Sequence, residues 1–196
     1  MDDYIKNTLE YYDENSESYR DEWSNNFTDN FDFKDPRIFI SYLKDDAYIL
    51  DLGCGHGRDT LFFIKNGYRV KAIDGSSEMC KLATELTGID VECINFLDID
   101  YNNLFDGVFA CASLLHLNNK DLIVVLKKIS ASLKNNGILM ASFKYGEEER
   151  LKEKRYFNDM TEEKFRNLCL NIPSLEIIEI LTNEGLRNIN LLLLLS

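Results

Sequence analysis

Residues 48–59 read Tyr-Ile-Leu-Asp-Leu-Gly-Cys-Gly-His-Gly-Arg-Asp, and few backbones accept that order. Tyr48 to Leu52 are apolar except for Asp51, as in a buried strand. Gly53, Gly55 and Gly57 lack a Cβ, so the turn after the strand can be tight and a ligand can touch backbone. Asp59-Thr60 opens an apolar-periodic run, Leu61, Phe62 and Ile64, suited to a helix start. Asp74 closes the next strand, Arg69 to Asp74. It follows Gly53 by about 20 positions, the spacing at which an acid reaches a ribose hydroxyl in a nucleotide-binding βαβ unit.

Two ligands compete for such a turn: a dinucleotide and S-adenosylmethionine. The dinucleotide fingerprint is G-x-G-x-x-G, with the pyrophosphate on a helix N-terminus. Here the spacing is G-x-G-x-G, and Asp51 stands two residues before the first glycine. A carboxylate there repels a pyrophosphate and suits a cation. S-adenosylmethionine carries an ammonium and a sulfonium beside an adenosine, so charge favours it.

A chain of 196 residues, 45% hydrophobic, can bury the core of one compact domain. We expect a single domain over 1–196, with 1–45 as an N-terminal helical cap and 46–196 as a cofactor-binding α/β core. The acidic start Met1-Asp2-Asp3 does not read as a cleaved leader. Leu191 to Leu195 is too short to span a bilayer. The five cysteines are scattered without a C-x-x-C pair, which suggests buried thiols in a reducing cytoplasm. Two histidines give no metal-ligand spacing. The net charge of −12 argues against a large phosphate-binding surface, so nucleic acid is disfavoured as a partner, and so are anionic membranes.

Residues 1–30 hold nine acids and two bases, yet they are too aromatic for a disordered tail. Tyr12, Tyr19, Trp23 and Phe27 fall on one helical face. Asp35-Pro36 begins a second short helix. After the glycine turn, Asn66-Gly67 stops the first core helix. Ser76 caps the next helix, with Met79, Leu82, Ala83 and Leu86 as its buried stripe and Gly88 as its end. Ile89 to Ile94 reads as a third strand and Phe105 to Ala112 as a fourth, apolar enough to be central. Asp121 to Leu133 is an amphipathic helix, and Asn136-Gly137 turns into a fifth strand, Ile138 to Phe143. Lys144 to Arg166 carries seven acids and seven bases. Such a run usually forms a solvated helical face, although Arg150, Arg155 and Tyr156 are candidates to meet an anionic substrate. Thr161 caps a helix. Leu175 to Thr182 and Leu186 to Leu195 read as two strands joined through Asn183-Glu184-Gly185.

Several of these stretches resemble class I S-adenosylmethionine-dependent methyltransferases. Ile49 to Gly57 looks like their first motif, Val70 to Ser76 like their second strand and acidic ribose ligand, and Phe96 to Ile99 like their adenine-side motif. Phe105 to Ala110 and Leu133 to Leu139 look like their fourth strand and the turn into their fifth. Gly57-Arg58-Asp59-Thr60 is closest to small bacterial members of the tellurite-resistance type. The resemblance implies a doubly wound, seven-stranded, mostly parallel sheet with an antiparallel last strand, a Rossmann-like methyltransferase fold. A plain dinucleotide domain lacks that reversed strand.

The resemblance also implies site residues. Asp51 would hold the methionine amino end, with Gly53, Cys54 and Gly55 approached closely by the cofactor. Arg58 would meet the methionine carboxylate, or stand as an exposed helix-start arginine. Asp74, with Gly75, Ser76 and Met79 beside it, would bind the ribose. Phe96, Leu97 and Asp98 would flank adenine. Ala112 and Ser113 would line the pocket. In the cap, Tyr11 and Tyr19 would face the substrate, unless the aromatic stripe merely packs the cap down. His116 is the candidate general base, since its pKa lies near neutrality; the alternative is a packed histidine hydrogen-bonded to a loop. The expected reaction is methyl transfer to a small-molecule acceptor, leaving S-adenosylhomocysteine. A non-catalytic cofactor-binding module and a transfer-RNA methyltransferase are the alternatives.

Overall fold

A computed structural model describes residues 2–24, 36–183 and 188–195. Helix α1 (Asp3–Ser24) comes first, followed by the short helix α2 (Pro36–Ile40). The core alternates strand and helix: β1 (Tyr48–Leu52), α3 (Arg58–Lys65), β2 (Arg69–Asp74), α4 (Ser77–Thr87), β3 (Glu92–Cys93), β4 (Phe105–Ala110), α5 (Asn119–Ser132) and β5 (Leu133–Lys144). A separate hairpin follows, β6 (Glu149–Lys152) and β7 (Arg155–Asn158), then α6 (Glu162–Cys169), β8 (Leu175–Asn183) and β9 (Asn188–Leu195).

The main sheet has seven strands in the order β3-β2-β1-β4-β5-β9-β8. Its first five strands run parallel, and β9 pairs antiparallel with both β5 and β8. The expected architecture is therefore present, reversed last strand included. The parallel pairs are joined by helices, as crossover connections require.

Strand alternation sorts the core into two faces. Ile49, Phe109 and Met140 pack with Phe39 of α2 and Phe63 of α3. Leu50, Leu52, Val108, Leu139 and Ala141 pack on the other side with Leu122, Val125, Leu126 and Ile129 of α5. Because Asp51 shares the face of Ile49, its side chain points toward α3. Strand order reverses between β1 and β4, so a crevice opens at their carboxyl ends, where open α/β sheets place ligands.

Capping is local and legible. The Ser76 hydroxyl accepts from the Met79 N–H at 3.2 Å, and Gly88 closes α4 at φ 74°. Thr161 caps α6 through the Lys164 N–H. The third strand is shorter than its apolar pattern suggested, Glu92–Cys93 rather than 89–94. The larger correction is the charged run after β5. It folds mainly as the β6–β7 hairpin and not as a helical face, because Tyr156 and Phe157 pair with Leu151 and Arg150 across an antiparallel register. Phe27, Asp35 and the 184–185 turn lie outside the described residues.

Helix α1 lies across the carboxyl ends of the strands and is pinned at several points. The Tyr4 hydroxyl donates to Asp121, and the Tyr156 N–H to Thr8 Oγ1 at 3.1 Å. Asp13 Oδ1 accepts from Ser76 Oγ at 2.6 Å and from the Glu78 N–H at 3.1 Å, so it adds a negative charge to the start of α4. Leu9 sits against Gly75, where a Cβ would come within 2.6 Å of Leu9 Cδ2.

Candidate active site

A cavity of about 610 Å³ lies between α1, the strand ends and the β6–β7 hairpin, within the size range of small-molecule sites. Of the residues expected at a cofactor, Asp51, Gly53, Cys54, Gly55, Arg58, Asp74, Gly75, Met79, Phe96, Ala112 and Ser113 line it. Tyr11, Tyr19 and His116 line it as well.

Gly53 shows why a glycine ends β1. Its φ is 81°, and an added Cβ would strike Ser113 Cβ and lie 3.0 Å from Phe96 Cζ. Removing that carbon lets the loops after β3 and β4 meet over the turn. Ser113 is locked there by donating to the Leu52 carbonyl at 2.6 Å. Ala112 adopts φ 51°, held by its N–H donating to Ser142 Oγ at 2.7 Å.

Asp51 is only 2% exposed and accepts from Thr60 Oγ1 at 2.5 Å. Burial pushes its carboxyl up to about 8, the nearby Asp59 charge adds to this, and the Thr60 hydrogen bond opposes it. Asp74 accepts the Gly55 N–H at one oxygen and the Ser76 N–H at the other, both at 2.9 Å. Burial raises its carboxyl too, against the pull of those backbone donors. A carboxylate offers about four lone-pair sites, so both oxygens retain capacity for a diol. A buried and a half-buried acid flanking a Cβ-free turn fit a cationic, ribose-bearing molecule on the chemistry of the donor set. Arg58 is paired through Nε and Nη2 to Asp59 at 2.9 and 3.0 Å.

Three expected residues are placed elsewhere. Asp98 is exposed and outside the cavity. Asn95 caps the short 3-10 turn Phe96–Asp98 by accepting the Leu97 N–H, which presents Asn95 and Phe96 to the cavity and turns Asp98 to solvent. Leu97 packs against the core. Ser76 is fully buried and occupied in capping α4 and binding Asp13.

His116 has both nitrogens engaged. Nδ1 lies 2.6 Å from the Tyr156 carbonyl and Nε2 lies 2.8 Å from the Tyr12 hydroxyl. A carbonyl only accepts, so Nδ1 carries the hydrogen and Nε2 receives the Tyr12 hydroxyl. The partner backbone belongs to strand β7, not a loop. Burial holds the imidazole down at about 4, so it stays neutral above that pH. Tyr12, which the sequence placed in the cap's aromatic pattern without a pocket-facing role of its own, stands between Tyr11 and Tyr19, with ring centroids 5.7 and 5.5 Å away. Its seven-residue spacing from Tyr19 was the available signal. Asn95 and His56 also line the cavity without having been singled out. Among the described residues no group of three or more His, Cys, Asp or Glu is placed to hold a metal ion.

Residues 49–137 match the model of a family described as a methyltransferase domain. Sheet order, glycine turn and this match are those of class I S-adenosylmethionine-dependent methyltransferases, enzymes whose cofactor is S-adenosylmethionine. Among its relatives, an uncharacterized methyltransferase of Staphylococcus carnosus is 27% identical over 156 residues, covering 74% of this chain and 73% of its own. Further curated methyltransferases are matched over less than half of their own length. The fold is shared with the Burkholderia thailandensis 1,6-didemethyltoxoflavin-N1-methyltransferase, solved with 1,6-didemethyltoxoflavin and S-adenosylhomocysteine. The TM-score is 0.78 at 23% identity, covering 98% of this chain and 89% of that one. A TehB-like methyltransferase from Corynebacterium glutamicum gives 0.76 at 18% identity, covering 93% and 99%.

Proposed function

We propose that the chain transfers a methyl group from S-adenosylmethionine to a small-molecule acceptor by in-line displacement. The observation that carries this is the pairing of the buried Asp51 and the half-buried Asp74 at one end of a cavity whose other end is walled by aromatic side chains. The cofactor, when bound, supplies an activated methyl on a sulfonium with a neutral leaving group. The protein's work is alignment in a dry pocket, which effective-molarity arguments value at about 7–11 kcal/mol for ideal geometry.

In this reading Asp51 takes the ammonium of the methionine end. Asp74 takes the ribose hydroxyls, and Asn95 and Phe96 flank the base. Tyr11, Tyr12 and Tyr19 close the acceptor side from α1, which supports a cap role for that helix. His116 acts through Tyr12: an acceptor proton passes to the Tyr12 oxygen as the Tyr12 proton moves to Nε2. The neutral His116 is the form that can receive it.

The net charge of −12 weighs against RNA as substrate. All five cysteines are free, in keeping with a reducing cytoplasm, and the Staphylococcus relative supports a bacterial setting. No described helix is long and apolar enough to cross a membrane. Incubation with methyl-labelled S-adenosylmethionine should label an extract of small metabolites and leave bulk RNA unlabelled; label in RNA alone would overturn the reading.

A further inference from the structure

The β6–β7 hairpin turns through Glu153-Lys154, and both residues have positive φ, 51° and 69°. Glycine or asparagine usually fills such positions, so this tip holds strain. It is fastened to α1. Lys154 Nζ donates to Glu14 Oε2 at 2.9 Å, and the Tyr11 hydroxyl donates to Glu153 Oε2 at 3.2 Å. Arg155 Nη2 donates to that same Oε2 at 2.8 Å. One carboxylate oxygen therefore serves a tyrosine and an arginine that both line the cavity.

Arg155 meets the Tyr12 hydroxyl as well as Glu153, but its pairing to a carboxylate is incomplete. Arginine favours two parallel bonds to a carboxylate, yet its Nε is buried with no partner among the described residues. Its guanidinium lies 4.1 Å from the Tyr11 ring centroid and 5.4 Å from that of Phe157. Arg150 makes the contrast: its Nε and Nη2 take both oxygens of Asp159 at 2.9 and 3.0 Å, so that fork is filled. Much of the charge along the cavity is paired: Asp59 with Arg58 at the β1–β2 end, and Arg150 with Asp159 at the hairpin. That leaves Asp51 and Asp74 at the first end, and Lys152 and Arg155 with the displaceable Glu153 at the second. Glu153, with 57% of its side chain exposed, can leave its place for water.

We propose that Arg155 and Tyr11 recognise a carboxylate on the methyl acceptor, and that Glu153 is an internal carboxylate which that group displaces. The inference rests on the reading of the cavity as a small-molecule methyl-transfer site. The rings of Tyr11, Tyr12, Tyr19 and Phe157 around the position suit a flat apolar body, so the acceptor class is an aryl or conjugated carboxylate.

The two charged residues then act with opposite signs, which a merely structural ion pair would not do. The full chain, loaded with S-adenosylhomocysteine, is titrated calorimetrically with benzoate, indole-3-carboxylate and 3-phenylpropanoate, and with the matching carboxamides. At least one carboxylate should bind about tenfold or more tightly than its amide. Arg155→Gln should erase that preference, and Glu153→Gln should strengthen carboxylate binding, with S-adenosylhomocysteine affinity unchanged in both. No carboxylate preference, a preference that survives Arg155→Gln, or weakening by Glu153→Gln would overturn the proposal. Failure of the unaltered chain to bind S-adenosylhomocysteine would instead remove the methyl-transfer reading and this inference with it.

Discussion

Asp51 answers two opposed demands. A carboxyl 2% exposed beside Asp59 is costly to ionise, yet its ionised form is the one that holds a cation. An acid whose pKa rises on folding, here to about 8 from an unfolded value of about 3.9, binds its proton more tightly in the folded state. Its contribution to stability therefore falls as pH rises from about 4 and levels off past about 8. Asp51→Asn removes the ionisable group. We expect the variant's melting temperature to gain on the wild type progressively from pH 4 to pH 8 without ligand, while its affinity for S-adenosylmethionine drops about tenfold or more. A variant that loses stability equally at every pH would show that Asp51 serves packing instead. Asp51 and Asp74 were legible in the sequence because a strand end and a fixed spacing from a glycine turn locate them. Asp98 was not, since the Asn95 cap decides which side of a three-residue turn meets the cavity. Tyr12 was half legible: its helical face was readable, but its bond to His116 spans 104 positions.

At the scale of elements, α1 and the hairpin decide what the cavity admits. Helix α1 is anchored at the start of α4 by Asp13, whose Oδ1 accepts from Ser76, Ser77 and the Glu78 N–H. Losing a side-chain cap costs about 1 kcal/mol, and in a chain of this size that lowers the melting temperature by about 2–4 °C. Asp13→Ala should show this drop together with faster proteolysis within residues 3–24. An unchanged cleavage rate would mean that the other α1 contacts hold the helix without it. The parallel strands and their helices were readable because apolar periodicity and glycine or serine caps agree with one another there. The hairpin was hidden. Its turn, Lys152-Glu153-Lys154-Arg155, contains neither glycine nor asparagine, and its strands, Glu-Arg-Leu-Lys and Arg-Tyr-Phe-Asn, show no apolar alternation in a stretch as rich in acids as in bases. Hairpin turns announce themselves through residues that tolerate positive φ, and this one uses residues that do not.

For the whole molecule, charge is the property that joins fold to function. An acidic chain gathers the carboxyls of Asp51 and Asp74, with the Arg58-paired Asp59 beside them, at the carboxyl ends of β1 and β2 and the start of α3, and sets arginines and a lysine on the facing hairpin. The first group matches a methyl donor bearing positive charge and a ribose, and disfavours a doubly anionic coenzyme. The sheet reverses order between β1 and β4, which places that group at the crevice by topology alone. Calorimetric titration of the purified chain with S-adenosylhomocysteine and with NAD, repeated on Asp74→Asn, tests this most directly. The account predicts one molecule of S-adenosylhomocysteine bound per chain, no saturable NAD binding, and a loss of about 10- to 150-fold in the variant, the equivalent of hydrogen bonds to a charged group worth about 1.5–3 kcal/mol. Equal affinity in the variant, or binding of NAD in place of S-adenosylhomocysteine, would contradict it.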